Sequence, residues 1–343
     1  AFQSREHDRP AADHAPLTEI SQAPTALVFG RSVLAQRLVQ ALYGTLGVMA
    51  IALLARRVAG SDRVALWAGL VAALYPNLWA ADGVILAETL TVLLVAALLW
   101  AVDGFSDRPD SRRALLVGAL AGLAALARAE VALIGVLAFA PVALRMAQPW
   151  SRRLGHLGLA ALAGVLVLAP WTVYNLDRFE KPVLISTNDG LTLIGANCDT
   201  QYNSADPGLW DIACLPPGSF TEAQNQDQSV VNAGYRHLAV EYARDHVGDL
   251  PRVAAIRVAR TWSLYDPASM IRYNENEGRE PPVGWAGFIS FWILVPFAVA
   301  GAVLLRQRGR AIWPLLSTIV VVTLVSALFY GLLRFRAPAE VTR

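Results

Sequence analysis

Long apolar segments separated by short polar loops run through most of the chain. A membrane-spanning helix needs about 20 mostly apolar residues, and segments of this kind predict about eight spans. They cover residues 33–55, 64–80, 84–102, 114–127, 130–147, 155–174, 285–305 and 311–333. Segment 114–127 is short but rich in Ala and Gly, which favours close packing against neighbouring helices. The pattern predicts an all-α polytopic membrane protein.

Every second loop between these segments is rich in arginine. Short loops with an excess of Lys and Arg face the cytoplasm, so the alternation predicts an orientation. The arginines are Arg56, Arg57, Arg63, Arg108, Arg112, Arg113, Arg145, Arg152, Arg153, Arg306, Arg308 and Arg310. The predicted division is an outer loop (1–32), a membrane region of about six spans (33–174), an extracytoplasmic domain (175–284), a pair of spans (285–333) and an outer tail (334–343).

The extracytoplasmic segment 175–284 has the composition of a small folded domain with mixed α/β structure. Alternating and helical spacings of apolar residues indicate both kinds of element, and an Asn-Asp-Gly run is a turn signal. The predicted elements are strands at Val183–Ser186 and Leu191–Gly195, a turn at Asn188–Gly190, and helices at 228–246 and from Leu250.

Composition supports a membrane protein and limits its partners. Hydrophobic residues make up 55% of the chain and charged residues 16%, against about 25% charged in a soluble domain. The 29 basic and 27 acidic residues nearly balance, which excludes the basic surplus of a nucleic-acid-binding protein. Both cysteines, Cys198 and Cys214, fall in the predicted outer domain. An oxidising compartment permits a disulfide between them; two free thiols are the alternative.

Ionisable residues gather at the predicted outer ends of the spans, where they are costly and therefore functional candidates. Glu88 lies at the start of one span, and Arg128 and Glu130 occupy a tight outer turn. Each also has a simpler interpretation: Glu88 as a helix-terminal carboxylate that reaches the lipid headgroups, Arg128 as a snorkelling side chain. Asp13 and His14 are either site residues or part of a solvated loop. The chain has no P-loop, dinucleotide fingerprint or His–Glu zinc motif.

The order of several short motifs resembles the polytopic C-type glycosyltransferases, in the branch of the protein O-mannosyltransferases and the aminoarabinose transferase of lipid A. Asp13-His14-Ala15-Pro16-Leu17 looks like the HPPL segment of that family, with Ala15 replacing its first proline. Leu126-Ala127-Arg128-Ala129-Glu130 is similar to the family's Arg-Pro-Glu turn. The other similar segments are Phe29-Gly30 through Gln40, Leu74-Tyr75-Pro76 with Glu88, Pro170-Trp171 with Asn175, and Arg334-Phe335-Arg336-Ala337-Pro338.

The resemblance implies an inverting transfer of a hexose or pentose from a polyprenyl-phosphate donor, at the extracytoplasmic face, to a protein, lipid or glycan. It implies catalytic roles for Glu88, Asp13 and His14, and donor contacts for Arg128, Arg336, Arg334 and Glu130. Arginines, a divalent metal with Glu88 and His14 as ligands, or both would offset the charge on the leaving phosphate. The family's base follows a first span, so we expect it upstream of Ala1 and interpret the chain as truncated. A transporter or flippase for a lipid-linked precursor, and a non-catalytic scaffold, are the alternatives.

Overall fold

A computed structural model describes residues 9–219 and 226–342. Within these ranges the chain is helical and contains no strand. We call segment 175–284 the outer domain after its predicted side of the membrane. The helices of the membrane region before it are α1 (Leu17–Phe29), α2 (Val33–Ala59), α3 (Asp62–Leu74), α4 (Pro76–Asp82), α5 (Glu88–Asp107), α6 (Ser111–Ala127), α7 (Ala132–Arg145) and α8 (Trp150–Arg178). The helices that follow are α9 (Asp189–Ile194), α10 (Asp199–Asn203), α11 (Gln228–Asp245), α12 (Leu250–Thr261), α13 (Pro267–Glu275), α14 (Pro281–Gln307), α15 (Trp313–Leu328) and α16 (Ala337–Glu340).

Local capping residues set several helix ends in the membrane region. The side chain of Ser32 accepts a hydrogen bond from the backbone N–H of Ala35 and so caps α2. At the other end of α2, Gly60 adopts a left-handed conformation with φ of 68°, which glycine tolerates without steric cost. Asp110 caps α6 through the backbone N–H of Arg113, at 2.9 Å. These polar signals interrupt an otherwise continuous apolar sequence.

Helix α5 forms the centre of the bundle, whereas α14 lies at its edge. In the most apolar stretch of α5, 72% of the residues are buried inside the protein. In the corresponding stretch of α14, only 6% are buried. Both helices are hydrophobic on every side, so the difference comes from position and not from composition. In α5 the apolar side chains contact other helices; in α14 they face outward, where lipid would cover them.

Small residues allow α6 to pack closely against α8. A Cβ atom added to Gly118 would lie 1.9 Å from the backbone oxygen of Ala160, and one added to Gly122 would lie 2.9 Å from that of Gly164. A larger side chain at either position would push the helices apart. This is the close packing through small residues that the composition of segment 114–127 predicts.

The structure does not confirm eight spans. Among residues 9–219 and 226–342, four helices are long and apolar enough to cross a membrane, or up to five if the pair α3 and α4, bent by 58°, counts as one span. Helices α6, α7 and α15 have 17, 14 and 16 residues, fewer than the roughly 20 that a perpendicular crossing needs. The all-α polytopic architecture fits, and the number of passes stays a prediction.

The predicted strands of the outer domain are not observed. Residues 183–186 are irregular, and the second predicted strand coincides largely with α9. Packing against α11 explains the difference: Asn232 Oδ1 accepts from the backbone N–H of Gly190 at 2.7 Å, and Arg236 pairs with Asp189 at 2.6 Å. These tertiary contacts outweigh a short β-like pattern. The predicted helices 228–246 and from Leu250 correspond to α11 and α12.

Buried arginines join the outer domain to the end of α15. Arg257 donates to the carbonyl oxygens of Ala196 and Ala327, at 2.5 and 3.4 Å. Arg260 donates within the outer domain, to the carbonyl oxygen of Pro207 at 2.6 Å. Burial lowers the pKa of both guanidinium groups. The contacts fix the outer domain over one end of the membrane bundle.

A disulfide joins Cys198 to Cys214 in the same part of the outer domain. The loop it closes contains Gly208, whose carbonyl oxygen accepts a hydrogen bond from the backbone N–H of Gly331 at 2.8 Å. The disulfide-closed loop therefore holds the chain segment that follows α15.

Candidate functional site

Three separate parts of the chain bring charged side chains together beneath the outer domain. Glu88 is the first residue of α5, Arg128 follows the last residue of α6, and Arg334 lies in the 3-10 turn Leu333–Arg336 after α15. Because α5 and α6 are antiparallel neighbours, the start of one helix lies beside the end of the next. The sequence predicts each of these residues at the same end of the bundle, and the structure places them in one cluster.

Glu88 is paired with two arginines inside the protein. Its Oε1 atom lies 2.9 Å from Arg128 Nη1 and 3.8 Å from Arg334 Nε. Arg128 also contacts Glu130 Oε1 at 2.6 Å and lies over the ring of Phe335, 5.1 Å from its centroid. Only 4% of the Glu88 side chain and 11% of the Arg128 side chain are exposed. Burial of both charges is tolerated because each has a partner.

Arg334 links this cluster to the outer domain. Its Nη1 atom lies 3.1 Å from Glu277 Oε1, in the turn after α13. Burial disfavours the charge of Arg334, but Tyr330, Glu88 and Glu277 outweigh burial and raise its pKa. The guanidinium group therefore stays charged at any physiological pH.

Glu88 and Arg334 form a shared wall between two cavities. A cavity of about 230 Å³ lies on the side of α2, α3 and α4, and its walls include Val48, Ile51 and Val92. A cavity of about 380 Å³ lies on the side of α1 and α9. The polar residues that line the second cavity, besides the shared pair, are His14, Thr18, Glu19, Arg128, Glu130, Ser186, Asn188, Asp189, Thr192 and Tyr330.

Of the predicted pair Asp13 and His14, the structure brings only His14 to the cavity. His14 is exposed and lines the 380 Å³ cavity. Asp13 is also exposed but accepts a hydrogen bond from the side chain of Gln228, the first residue of α11. The backbone N–H of Ala12 donates to the same glutamine at 2.7 Å. Asp13 thus fastens the segment before α1 to the outer domain.

Arg336, a predicted donor contact, lies outside both cavities. Its side chain is 1% exposed, pairs with Glu340 and donates to Ser263 Oγ at 2.9 Å. Its guanidinium carbon lies 3.7 Å from the centroid of Phe291. These contacts connect α14, α16 and the outer domain, which favours a structural role. Arg334 and Arg336 differ because successive residues of a 3-10 helix point about 120° apart.

The structure adds residues that sequence reasoning did not single out. Glu19 and Asp189 line the larger cavity, and Arg279 lines the smaller one. Arg279 is buried, and its Nε atom has no hydrogen-bond partner among the described residues. Glu19 follows the HPPL-like segment closely and could have been found there. Arg279 lies in the polar run 274–280, which carries no signal beyond that of a loop.

The charged cluster is a poor match for the predicted divalent metal. Among residues 9–219 and 226–342, no group of three or more His, Cys, Asp and Glu side chains is placed to hold a metal ion. Glu88, one predicted ligand, is already neutralised by two arginines, whose positive charges oppose a cation nearby. His14 alone does not make a site. We therefore derive no step through a metal.

Comparison with known families gives the class of protein to which part of the chain is similar. Residues 13–174 match the family model described as dolichyl-phosphate-mannose-protein mannosyltransferase. The match confirms the resemblance to the C-type glycosyltransferases over that part of the chain and indicates a membrane glycosyltransferase. It contains α1 to most of α8, including Glu88, Arg128 and Glu130. No curated protein and no solved structure matches the chain.

Proposed function

We propose that this protein transfers a sugar from a polyprenyl-phosphate donor to an acceptor at the extracytoplasmic face of the membrane, with inversion at the anomeric carbon. The family matched by residues 13–174 supports the reaction class. The observation that carries the proposal is the buried cluster of Glu88, Arg128 and Arg334 in the wall between two cavities. One cavity would take the lipid-linked phosphate and the other the acceptor.

Arginines at this wall suit a phosphate. A guanidinium group presents a planar fork of N–H donors that matches two phosphate oxygens, and it remains charged when buried. Arg334 and Arg279 line the smaller cavity, Arg334 and Arg128 the larger one. A donor phosphate placed between them would receive hydrogen bonds from both sides. As the bond to the sugar breaks, these arginines offset the negative charge that develops on the leaving phosphate.

The smaller cavity fits the lipid part of the donor. Its apolar walls come from α2, α4 and α5, which form part of the membrane bundle. A polyprenyl chain would continue from this cavity along the apolar surfaces of neighbouring helices, where exposed leucines are frequent. On α2 these include Leu42, Leu46 and Leu53.

Glu88 would position the two arginines with one carboxylate oxygen and bind the sugar with the other. Oε1 contacts both arginines, whereas Oε2 is buried without a hydrogen-bond partner among the described residues. A buried carboxylate oxygen without a hydrogen bond is energetically costly. We therefore expect a group of the substrate to donate a hydrogen bond to Oε2. A sugar hydroxyl at the wall between the cavities would do so.

The location of the reaction follows from the arginine-rich loops. The cluster lies at the start of α5, and the loop after α5 carries Arg108, Arg112 and Arg113. Loops rich in arginine remain in the cytoplasm, so the opposite end of α5 faces outward. The outer domain then covers the cluster from the side where a protein, lipid or glycan acceptor would arrive.

A transfer assay tests the proposal. The protein, purified into lipid nanodiscs, would be supplied with polyprenyl phosphates that carry a labelled hexose or a labelled pentose, together with membrane acceptors. We expect label to move from the lipid to an acceptor for one sugar class, with inverted configuration in the product. Label that stays on every lipid would overturn the proposal. If labelled donor instead crosses the bilayer of sealed vesicles intact, the protein is a transporter of lipid-linked precursors.

A further inference from the structure

Helix α12 of the outer domain runs alongside the end of α15 in the opposite direction. A Cβ atom added to Gly331, which follows α15, would lie 2.3 Å from the backbone oxygen of Arg257. Five residues after Arg257, Trp262 Nε1 donates to Thr323 Oγ1 at 3.1 Å. Thr323 lies five residues before the end of α15, which is about 7–8 Å along the helix. The chain that follows α12 therefore lies beside an apolar helix of the bundle, not beyond its end.

A second contact places the bend 262–266 beside α14, which is a candidate membrane span. Arg336 Nη1 donates to Ser263 Oγ at 2.9 Å, and the guanidinium carbon of Arg336 lies 3.7 Å from the ring centroid of Phe291. Phe291 lies ten residues after the first residue of α14, which is about 15 Å along that helix. Two apolar helices thus indicate independently that the bend lies at the level of the membrane.

The bend has a strained backbone that its hydrogen bonds hold in place. Ser263 and Asp266, with φ of 58° and 35°, are the non-glycine residues of positive φ in the described part of the chain. The backbone N–H groups of Ser263 and Leu264 donate to carbonyl oxygens of the last turn of α12, at 3.0 and 2.7 Å. This is the bonding of a helix end at which the left-handed residue is usually glycine. A serine is retained despite the strain, and its hydroxyl accepts from Arg336.

The turn directs two large side chains away from the protein. Leu264 is 64% exposed and Tyr265 is 36% exposed. In helix ends of this type, an apolar residue at the position of Leu264 frequently packs back on the last turn of the helix. On either side of Phe291, α14 exposes Ile289 and Ile293, which lipid would cover. Leu264 and Tyr265 therefore lie at a level where the bundle exposes apolar side chains to lipid.

We propose that the bend 262–266 anchors the outer domain in the adjacent leaflet of the membrane, with Leu264 among the upper acyl chains and Tyr265 at the headgroups. Leucine favours hydrocarbon, whereas tyrosine combines an apolar ring with a polar hydroxyl and is enriched at membrane interfaces. The exposed Asp266 limits the depth of insertion, because a charge in hydrocarbon is costly. Its carboxylate accepts from the backbone N–H of Ser269 at 3.0 Å and caps α13. The anchor is independent of the reaction proposed above.

The anchor is connected directly to the charged cluster. Arg336, which holds Ser263, and Arg334 belong to the same 3-10 turn, Leu333–Arg336. Lipid contact at the bend therefore holds the outer domain at the membrane surface through the segment that also positions Arg334.

Fluorescence quenching in phosphatidylcholine nanodiscs tests the depth of the bend. The two cysteines of the chain form a disulfide, so Leu264→Cys and Val247→Cys each introduce one thiol for an environment-sensitive label. Val247 is the matched control, because it is 66% exposed and precedes the opposite end of α12, about 16 Å along the helix. We expect nitroxides on the lipid acyl chains to quench the label at position 264 several-fold more strongly than that at 247. Iodide in the water should quench the two labels in the reverse order.

Equal quenching of the two labels by the lipid nitroxides would overturn the anchor. A label at position 264 that neither quencher reaches would also overturn it, because protein, such as a second copy of the chain, would then cover the bend. If Leu264→Cys does not fold, hydroxyl-radical footprinting of the unchanged protein in nanodiscs decides. Lipid cover predicts several-fold less oxidation of Leu264 than of Val247, and similar oxidation of both contradicts it. Neither measurement requires sugar transfer, so failure of the anchor and failure of the proposed reaction are distinguishable.

Discussion

The two ends of helix α5 both carry ion clusters, but they differ in burial. At its start, Glu88 pairs with Arg128 and Arg334, and 4% and 11% of the Glu88 and Arg128 side chains are exposed. At its end, Asp103 and Asp107 pair with Arg57, and Asp107 also with Arg310. There the Asp107 side chain is 47% exposed and that of Arg310 is 40% exposed. The Arg57 and Asp103 side chains are 25% and 19% exposed, so the ion pairs at this end are partly hydrated, whereas the pair of Glu88 and Arg128 is almost entirely enclosed by protein.

The difference points to function at the buried end. Exposed ion pairs cost little to form and contribute little to stability. A buried pair loses the hydration of both ions, and apolar residues of similar volume are often as stable or more stable in its place. Folding alone therefore gives no reason to bury Glu88 and two arginines beside two cavities. A substrate whose charge changes during the reaction gives such a reason.

Removing the carboxylate at the buried end should have the largest effect. In Glu88→Gln, Arg128 and Arg334 lose a common partner, and breaking a buried pair in this way costs about 3–5 kcal/mol. The arginines would also shift, and a misplacement of about 1 Å can reduce a rate by about 100-fold. Thermal unfolding in detergent and the transfer assay measure the two effects. Wild-type activity together with a wild-type melting temperature would show that Glu88 is dispensable.

Removing a cation from the same end should reduce both activity and stability, because Arg128 is the buried partner of Glu88 and Glu130. Arg128→Ala is expected to lower sugar transfer by about 100-fold, because one group that stabilises the leaving phosphate is lost. Arg128→Lys should recover only part of the activity, since an ammonium group cannot bridge Glu88 and Glu130 as a planar fork does. Arg310→Ala, at the exposed end of α5, is the matched control. Equal transfer rates for the Arg128→Ala and Arg310→Ala variants would contradict the comparison.

Opening the disulfide should have an intermediate effect confined to the buried end. Cys198→Ser with Cys214→Ser releases a loop with a sequence separation of 16 residues, and a closed loop of about 15 residues contributes about 3 kcal/mol. Because Gly208 in this loop holds Gly331, three residues before Arg334, transfer should decline together with the stability of the outer domain. Hydrogen exchange of segment 329–336 would show the loosening. Unchanged exchange there would mean that the loop does not support the cluster.

Changing the exposed end should have the smallest effect. Asp107→Asn removes one partner of Arg57 and Arg310, and exposed pairs of this kind contribute about 0–1 kcal/mol. We expect transfer at the wild-type rate and a melting temperature within a few degrees of the wild type. A loss of activity similar to that of Glu88→Gln would show that the two clusters are coupled through α5.

Much of the fold follows from local pattern, but its details depend on packing. The apolar runs locate α2, α5, α8 and α14 closely because no other structure buries so many backbone groups in lipid. The prediction of a strand at 191–195 was wrong. Contacts from Asn232 and Arg236 of α11 hold this part of the chain as a helix. A local propensity over a few residues is weaker than such contacts.

The sequence by itself determined the membrane class, the helical architecture and the end of the bundle at which Glu88, Arg128 and Arg334 lie. The lengths of the apolar segments and the distribution of arginines among the loops determine these features, and both can be read directly from the sequence. Only the tertiary structure decided which charges meet: Arg334 faces the cavities while Arg336 is buried against Phe291 and Glu340. It also decided that Glu19, and not Asp13, lines the cavity. Burial and ion pairing depend on neighbours distant in sequence, so no local pattern could have separated these residues.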